Sequence, residues 1–240
     1  MTYKPQLAPA FNLIELPSVG STNDHAKQLA RSGYPAFTTV WAHEQTAGKG
    51  RQGNVWTSVS GNLYLSILLR PAATAAQNGQ LSFLAAIALA ETVKEMMSKP
   101  ALIALKWPND LLLNGKKAAG ILLEAEEDWV VMGIGVNVAD APDGAASLKD
   151  FGTEAEAGQV LEKLSARVKD LYDLWVKSGF APIRSQWLHY AQNLGMTIQV
   201  RMPNETFSGK FLGIDDAGAL EIETPDGAKR AVCSGEVFAG

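Results

Sequence analysis

Apolar and polar positions follow two periods along this chain, and the change between them divides it. Leu81, Leu84, Ala85 and Ala88 recur at i, i+3, i+4 and i+7, which predicts an amphipathic helix running to about Met97. The same spacing at Val160, Leu164, Val168, Leu171 and Leu174 predicts a helix over Ala155–Lys177, with another over Phe180–Ala191. Ser21-Thr22-Asn23-Asp24 stands ahead of a shorter helix over His25–Arg31, stopped at Gly33. Strands are predicted at Thr38–His43, Asn62–Arg70, Leu102–Lys106 and Trp129–Val138. Asp110–Leu113 and Lys117–Glu124 flank Asn114-Gly115, a two-residue hairpin signal. Beyond Gly195 only short strands remain, at Met196–Arg201, Glu205–Ile214, Ala219–Glu223 and Lys229–Val232, parted by Pro203-Asn204, Asp215–Gly218 and Pro225–Gly227. That rhythm predicts a small β-barrel. The fold class is therefore α+β (mixed α/β), with residues 1–191 as one domain and 192–240 as a second. Ala139–Ala146 reads as a mobile loop.

Composition narrows the range of functions. The chain has 240 residues, 21 basic against 25 acidic, for a net charge of −4. No overall field exists to follow a phosphate backbone, so no nucleic-acid partner is expected. Cys233 is the single cysteine, which excludes an internal disulfide and a cysteine-pair zinc site. The first residues lack a basic segment followed by an apolar core, and no apolar run is long enough to cross a bilayer. A cytoplasmic protein without a membrane partner is the expectation.

Several familiar chemistries fail on inspection. No Gly-Lys pair is followed by Ser or Thr, so a Walker-type phosphate loop is absent. Gly133-Ile134-Gly135 lacks the third glycine of a dinucleotide fingerprint, since Val138 stands there. His25, His43 and His189 have no ligand spacing and read as ordinary surface or packed residues.

Four constellations remain, each with two readings. Gln45 to Gly53, followed by Trp56, holds Gly48, Gly50 and Gly53 beside Lys49 and Arg51; it either wraps an anion or is a flexible basic surface loop. Lys106-Trp107-Pro108-Asn109-Asp110 places a carboxylate at a strand mouth beside a lysine, for a metal or an ammonium group, or simply caps a turn. Lys116-Lys117 opens an apolar strand through Gly120 to Glu124, either offering an ammonium to an anion or guarding a sheet edge. Gly133 and Gly135, with Asn137, interrupt an apolar strand, as happens where a ligand or another backbone comes close.

In this order, Ser21-Thr22-Asn23, the Gly48–Trp56 loop, Lys106–Asp110, Lys117–Glu124 and Gly133–Val138 closely resemble the biotin protein ligases. The resemblance covers nearly all of the first 140 residues, and Ser234-Gly235-Glu236-Val237 fits the family's small terminal β-domain. It implies a class II synthetase-like catalytic domain with a mixed sheet, followed by an SH3-like barrel. It also implies two half-reactions: biotin and ATP, with Mg²⁺, give biotinyl-5′-adenylate, and a lysine of a biotin carboxyl carrier protein or carboxylase subunit then takes the biotin. By resemblance the biotin site is Ser21, Thr22, Asn23, Gln45, Gly48, Lys49, Gly50, Arg51, Lys117 and Gly120. ATP would meet Arg51, Trp56, Asn109, Lys117 and Asn137, and catalysis would fall to Lys117, Arg51 and Asp110, with Asp110 at the metal or the incoming lysine. No metal ligands are assigned. The family pattern allows a homodimer, in many relatives carries arginine at the positions of Lys49 and Asn54, and in its repressor forms adds an N-terminal DNA-binding domain, which is not expected here. A lipoate or octanoate enzyme of related fold, or a non-enzymatic biotin or nucleotide sensor, are the competing readings.

Overall fold

A computed structural model describes residues 3–240. The chain runs β1 (Asn12–Leu16), α1 (Thr22–Arg31), β2 (Thr38–Ala42), β3 (Leu63–Leu69), α2 (Ala75–Asn78), α3 (Leu81–Met96), β4 (Ile103–Lys106), β5 (Asp110–Leu113), β6 (Lys116–Glu126), β7 (Trp129–Val136), α4 (Ala157–Ser178) and α5 (Ala181–Tyr190). It continues with β8 (Thr197–Arg201), β9 (Thr206–Ile214), β10 (Leu220–Glu223), β11 (Lys229–Val232) and β12 (Glu236–Ala239). The first seven strands form one sheet in the order β1-β2-β3-β7-β6-β5-β4, with β1 and β2 parallel and the remaining pairs antiparallel. The last five form an antiparallel sheet, β11-β10-β9-β8-β12. Among the described residues no helix is long and apolar enough to cross a membrane.

The expected α+β architecture is present, and the periodic segments lie within a few residues of their predicted ends. The Asn114-Gly115 turn has φ of 48° and 80°, the left-handed pair that a tight antiparallel turn requires. α1 begins three residues earlier than expected because Ser21, not a later residue, is its cap: the Ser21 hydroxyl accepts from Asp24 N–H. Two strands were not anticipated, β1 and β12. The supposedly mobile segment after Val138 is anchored at both ends. Asn62 Oδ1 accepts from Val138, Ala139 and Asp140 N–H at 2.9, 2.9 and 3.2 Å, and Ala146 N–H donates to Lys117 O at 2.9 Å.

Side-chain alternation decides what the large sheet presents on each face. Ser66 pairs with Gly133 and Tyr64 with Gly135, while Gly120, Leu122 and Glu124 pair with Gly135, Gly133 and Val131. These residues therefore share one face. Their alternates, Leu65, Ile67, Ile121, Met132 and Ile134, belong to the main core with α3, α4 and α5. α3 is buried almost all round, from Leu81 to Val93, as a helix between a sheet and two other helices must be. On the opposite face α1 covers one half, packing Ala26 and Ala30 on Val40, Leu68, Trp129 and Val131. The other half, floored by glycines, stays open.

Candidate active site

The open half is a cleft of about 230 Å³. Its walls are the start of α1, the loop 49–56, the turn 106–110 and, from the second sheet, Gly235–Phe238. The second sheet is held there by two hydrogen bonds: Trp107 Nε1–H donates to Gly218 O at 3.1 Å in a buried contact, and Gln80 Nε2 donates to Asp216 O at 2.9 Å.

One end of the cleft is polar and nearly sealed. Ser21, Thr22 and Asn23 are 3–4% exposed although they are hydrophilic, so each needs a partner. Gln45 Oε1 accepts from Thr22 N–H at 2.8 Å, with Thr22 Oγ1 3.0 Å away. Because a backbone N–H can only donate, this fixes the Gln45 amide with its Nε2 turned away from Thr22. Asn23 Nδ2 donates to Glu124 Oε2 at 2.8 Å, while Ser66 Oγ lies 2.6 Å from Asn23 Oδ1. Gly133 is glycine of necessity: a Cβ there would sit 2.1 Å from Asn23 Oδ1.

The other end is charged. Lys117 Nζ lies 2.7 Å from Asp110 Oδ1, an ion contact off the hydrogen-bonding direction that leaves this buried oxygen without a hydrogen bond. The same ammonium stands 5.4 Å from the Trp56 ring. A register shift between Leu111 and Leu112 in the β5–β6 pairing leaves Ala118, next after Lys117, without a partner, so Asp110 pairs with Gly120 while Leu112 pairs with Lys117. Arg51 NH1 donates to Asn109 Oδ1 at 3.3 Å, and Asn109 Nδ2 donates to Ile121 O at 2.7 Å. Burial pushes the Arg51 guanidinium below its usual range, opposed by the charges of Asp110 and Glu236, and it remains a cation at neutral pH.

The loop between these ends is a miniature hairpin. Trp56 N–H donates to Gly48 O at 3.0 Å, Gly50 N–H donates to Asn54 O at 2.7 Å, and Gln52 and Gly53 turn the tip with φ of 55° and 79°. At Gly48 a Cβ would meet Trp56 O at 2.5 Å, so the close strand approach explains that glycine. The Trp56 indole lies across Gly120 and Gly135, whose Cβ atoms would fall 2.9 and 2.5 Å from the ring. Its Nε1 is buried without a partner. Lys49 pairs with Asp24 on α1 at 2.6 Å. Burial alone would raise the Asp24 carboxyl, but Lys49 and Lys27 outweigh it and hold the group below its ordinary value.

Most residues proposed from the sequence thus meet in one cleft. Ser21, Thr22, Asn23, Gln45, Lys49, Gly50, Arg51, Trp56, Asn109, Asp110, Lys117 and Gly120 all line it. Two stand outside its lining. Gly48 sits behind the loop, and Asn137, expected to face the nucleotide, instead donates from Nδ2 to Ala146 O at 3.1 Å and tethers the following segment. The cleft also holds Lys106, the lysine of the strand-mouth motif, and two residues of the second sheet that were not expected in a site, Glu236 and Phe238. Lys106 Nζ lies 5.0 Å from the Phe238 ring, and Glu236 faces the charged end from the second sheet. Among the described residues no cluster of three or more His, Cys, Asp or Glu side chains is arranged to hold a metal.

Comparison with known proteins agrees with this geometry. Residues 15–137 match the Biotin/lipoate A/B protein ligase family, and residues 194–240 match the Biotin protein ligase C terminal domain. The biotin--[acetyl-CoA-carboxylase] ligase of Paracoccus denitrificans is 39% identical over 92% of this chain and 97% of its own length. The bifunctional ligase/repressor BirA of Bacillus subtilis is 40% identical over 88% of this chain and 69% of its own. A biotin protein ligase from Aquifex aeolicus, solved in complex with biotin and ATP, superposes with a TM-score of 0.82 at 29% identity, covering 95% of this chain and 97% of that one. The chain belongs to the Biotin/lipoate A/B protein ligase family.

Proposed function

We propose that this chain is an ATP-dependent biotin protein ligase, acting through biotinyl-5′-adenylate on a lysine of a biotin carboxyl carrier protein or carboxylase subunit. The observation that carries this reading is the two-ended cleft: fixed amide and hydroxyl groups at one end, two cations and a carboxylate at the other. A bicyclic urea offers a carbonyl and two N–H groups, which match a Gln45 amide left free to donate and the oxygens of Thr22 and Asn23. A lipoyl group has no urea, so the polar end favours biotin over a lipoate or octanoate substrate. The full set of cations at the other end is more than a sensor needs.

The acid's carboxylate then points towards Lys117 and Arg51. Its oxygen attacks the α-phosphorus of ATP and pyrophosphate leaves. Two anions must approach each other in this step, and a fixed ammonium lowers that barrier. Asn109 holds Arg51 in place from the neighbouring turn. Mg²⁺ is usually held by one or two carboxylates together with substrate phosphates. Asp110, with a buried oxygen free of hydrogen bonds, and Glu236 fit that description, and a bound ion would neutralise phosphate charge there.

In the second step the carrier lysine attacks the acyl carbon and AMP leaves. A lysine of pKa about 10.4 must lose its proton at a cost of about 4 to 5 kcal/mol at pH 7, and Asp110 stands ready to receive it. At about 230 Å³ the cleft is smaller than the roughly 300–1,000 Å³ of typical small-molecule sites. The 48–56 hairpin is the wall placed to swing out for both substrates and to close again over the adenylate.

Pyrophosphate exchange with biotin, set against lipoate, tests the assignment. Biotin-dependent exchange is expected; exchange with lipoate alone sinks it, and none with either favours the sensor. Arg51→Gly should leave biotin recognition largely intact but let adenylate escape, labelling bystander lysines on an unrelated protein several-fold more than the parent enzyme does. Equal labelling would remove the closing role from this loop.

A further inference from the structure

The polar end of the cleft is one proton short. Between Gln45 Oε1 and Asn23 Oδ1 runs a chain of oxygens: Gln45 Oε1 to Thr22 Oγ1 at 3.0 Å, Thr22 Oγ1 to Ser66 Oγ at 2.8 Å, and Ser66 Oγ to Asn23 Oδ1 at 2.6 Å. Those are three contacts, but only the Thr22 and Ser66 hydroxyls carry protons, one each. Neither end of the chain can supply a third. The Gln45 oxygen is held inward by Thr22 N–H at 2.8 Å. Asn23 is held oxygen-inward because its Nδ2 faces Glu124 Oε2 at 2.8 Å, and a carboxylate only accepts. Ser66 is fully buried and Asn23 is 4% exposed, so bulk water does not repair the count.

We propose that Glu124 is a positioning residue that keeps this network proton-deficient, and that the surplus of acceptors selects a ligand bringing N–H donors. This rests on the biotin reading, since a cyclic urea is such a ligand. Glu124 does not line the cleft; it acts through the amide it orients. Its other oxygen, Oε1, is fixed by Lys27 Nζ at 2.6 Å, and Lys27 also meets Asp24 at 2.9 Å. The carboxylate cannot rotate freely, and Asn23 has no second acceptor of comparable strength: Leu122 O lies 3.4 Å from Nδ2.

The arrangement makes an isosteric substitution informative. In Glu124→Gln, the Lys27 ammonium can only donate, so it claims the new amide's oxygen and leaves the NH₂ facing Asn23. Asn23 must then flip, presenting its oxygen to that NH₂ and its own NH₂ to Ser66. The flip sets Asn23 Oδ1 against Leu122 O at the longer distance, a small opposing cost. It also closes the chain: Asn23 donates to Ser66, Ser66 to Thr22, and Thr22 to Gln45. The network becomes satisfied within itself and stops asking for donors. Apo stability should hold or rise, while biotin affinity falls by about tenfold, roughly the value of one buried hydrogen bond. Removing the lysine as well frees the substituted amide to turn its oxygen to Asn23, so Lys27→Met with Glu124→Gln should recover most of the lost affinity.

Titration calorimetry with biotin and ligand-free thermal melts of the parent, Glu124→Gln and the double variant test this. The expected pattern is tight binding, about tenfold weaker binding with an unlowered Tm, and recovery. A Glu124→Gln protein that binds as tightly as the parent overturns the proposal. So does a double variant that regains none of the affinity, or a single variant whose Tm drops together with its binding, which is what a purely structural role produces. A parent protein that does not bind biotin brings down the ligase reading itself, and that result is distinct from the others.

Discussion

Lys117→Ala is expected to slow acyl-adenylate formation by about 10²- to 10³-fold while the protein melts close to the parent. The rate effect follows from its position. Lys117 Nζ is a preorganised cation beside Asp110 and above Trp56, in the part of the cleft where the proposed reaction would bring carboxylate and phosphate together. Removing one such electrostatic contact from an active site costs on the order of 2.7–4 kcal/mol of barrier. The stability effect should be small because the side chain is 41% exposed, and an ion pair this accessible to water is worth about 0–1 kcal/mol. Lys117→Arg separates charge from shape: it keeps the cation but replaces a point charge with a planar fork, and it should fall between parent and alanine. Biotin-dependent pyrophosphate exchange, with a melt on the same samples, reads both quantities. A Lys117→Ala enzyme exchanging near the parent rate would take this residue out of the chemistry.

Gly133→Ala should abolish tight biotin binding, weakening it on the order of 100-fold, through a single methyl group. The new carbon would lie 2.1 Å from Asn23 Oδ1 and 2.8 Å from its Cγ, far inside contact distance. Asn23 cannot swing aside cheaply, since Glu124 and Ser66 hold both ends of its amide. The start of α1 must move, carrying Thr22 and its contact to Gln45 with it. Overpacking of this kind costs about 1–3 kcal/mol of stability. Gly115→Ala is the control. It sits in the hairpin turn with φ of +80° and nothing within 4 Å of a Cβ, so it should lose stability from backbone strain and leave biotin affinity unchanged. Calorimetric affinity equal to the parent's in Gly133→Ala would mean that the helix start is not the binding wall described above.

The sequence was most informative where a pattern was long or a turn was chemically specific. α3 and α4 declare themselves by apolar spacing over many residues, and Asn114-Gly115 declares its hairpin by the two residues best suited to positive φ. β1 and β12 did not: each is a short strand, Asn-Leu-Ile-Glu-Leu and Glu-Val-Phe-Ala, stabilised by pairing partners distant in sequence. β12 matters because it brings Glu236 and Phe238 into the cleft, a contact that no local pattern encodes. Asn137 departs from expectation for the opposite reason. An amide beside two strand glycines suggests a ligand contact, yet the backbone that turns away after Val136 presents its own carbonyls, and Ala146 takes the amide. Ser66 and Glu124 carried a usable signal. Each is a polar residue within or at the end of an apolar strand, and a period of two places both on the glycine face.

Of the chain's six tryptophans, only Trp56 and Trp107 line the cleft. Trp107 has its N–H committed to Gly218, whereas the half-buried Trp56 indole lies across two glycines with its N–H unpartnered and a cation nearby. The molecule therefore contains its own optical gauge. On the proposed opening of the hairpin, that ring should become more exposed and its emission should shift to the red, reversing when the hairpin closes over an occupant. Opening, loading and discharge of the cleft are in principle visible in real time, in unlabelled protein, through one side chain.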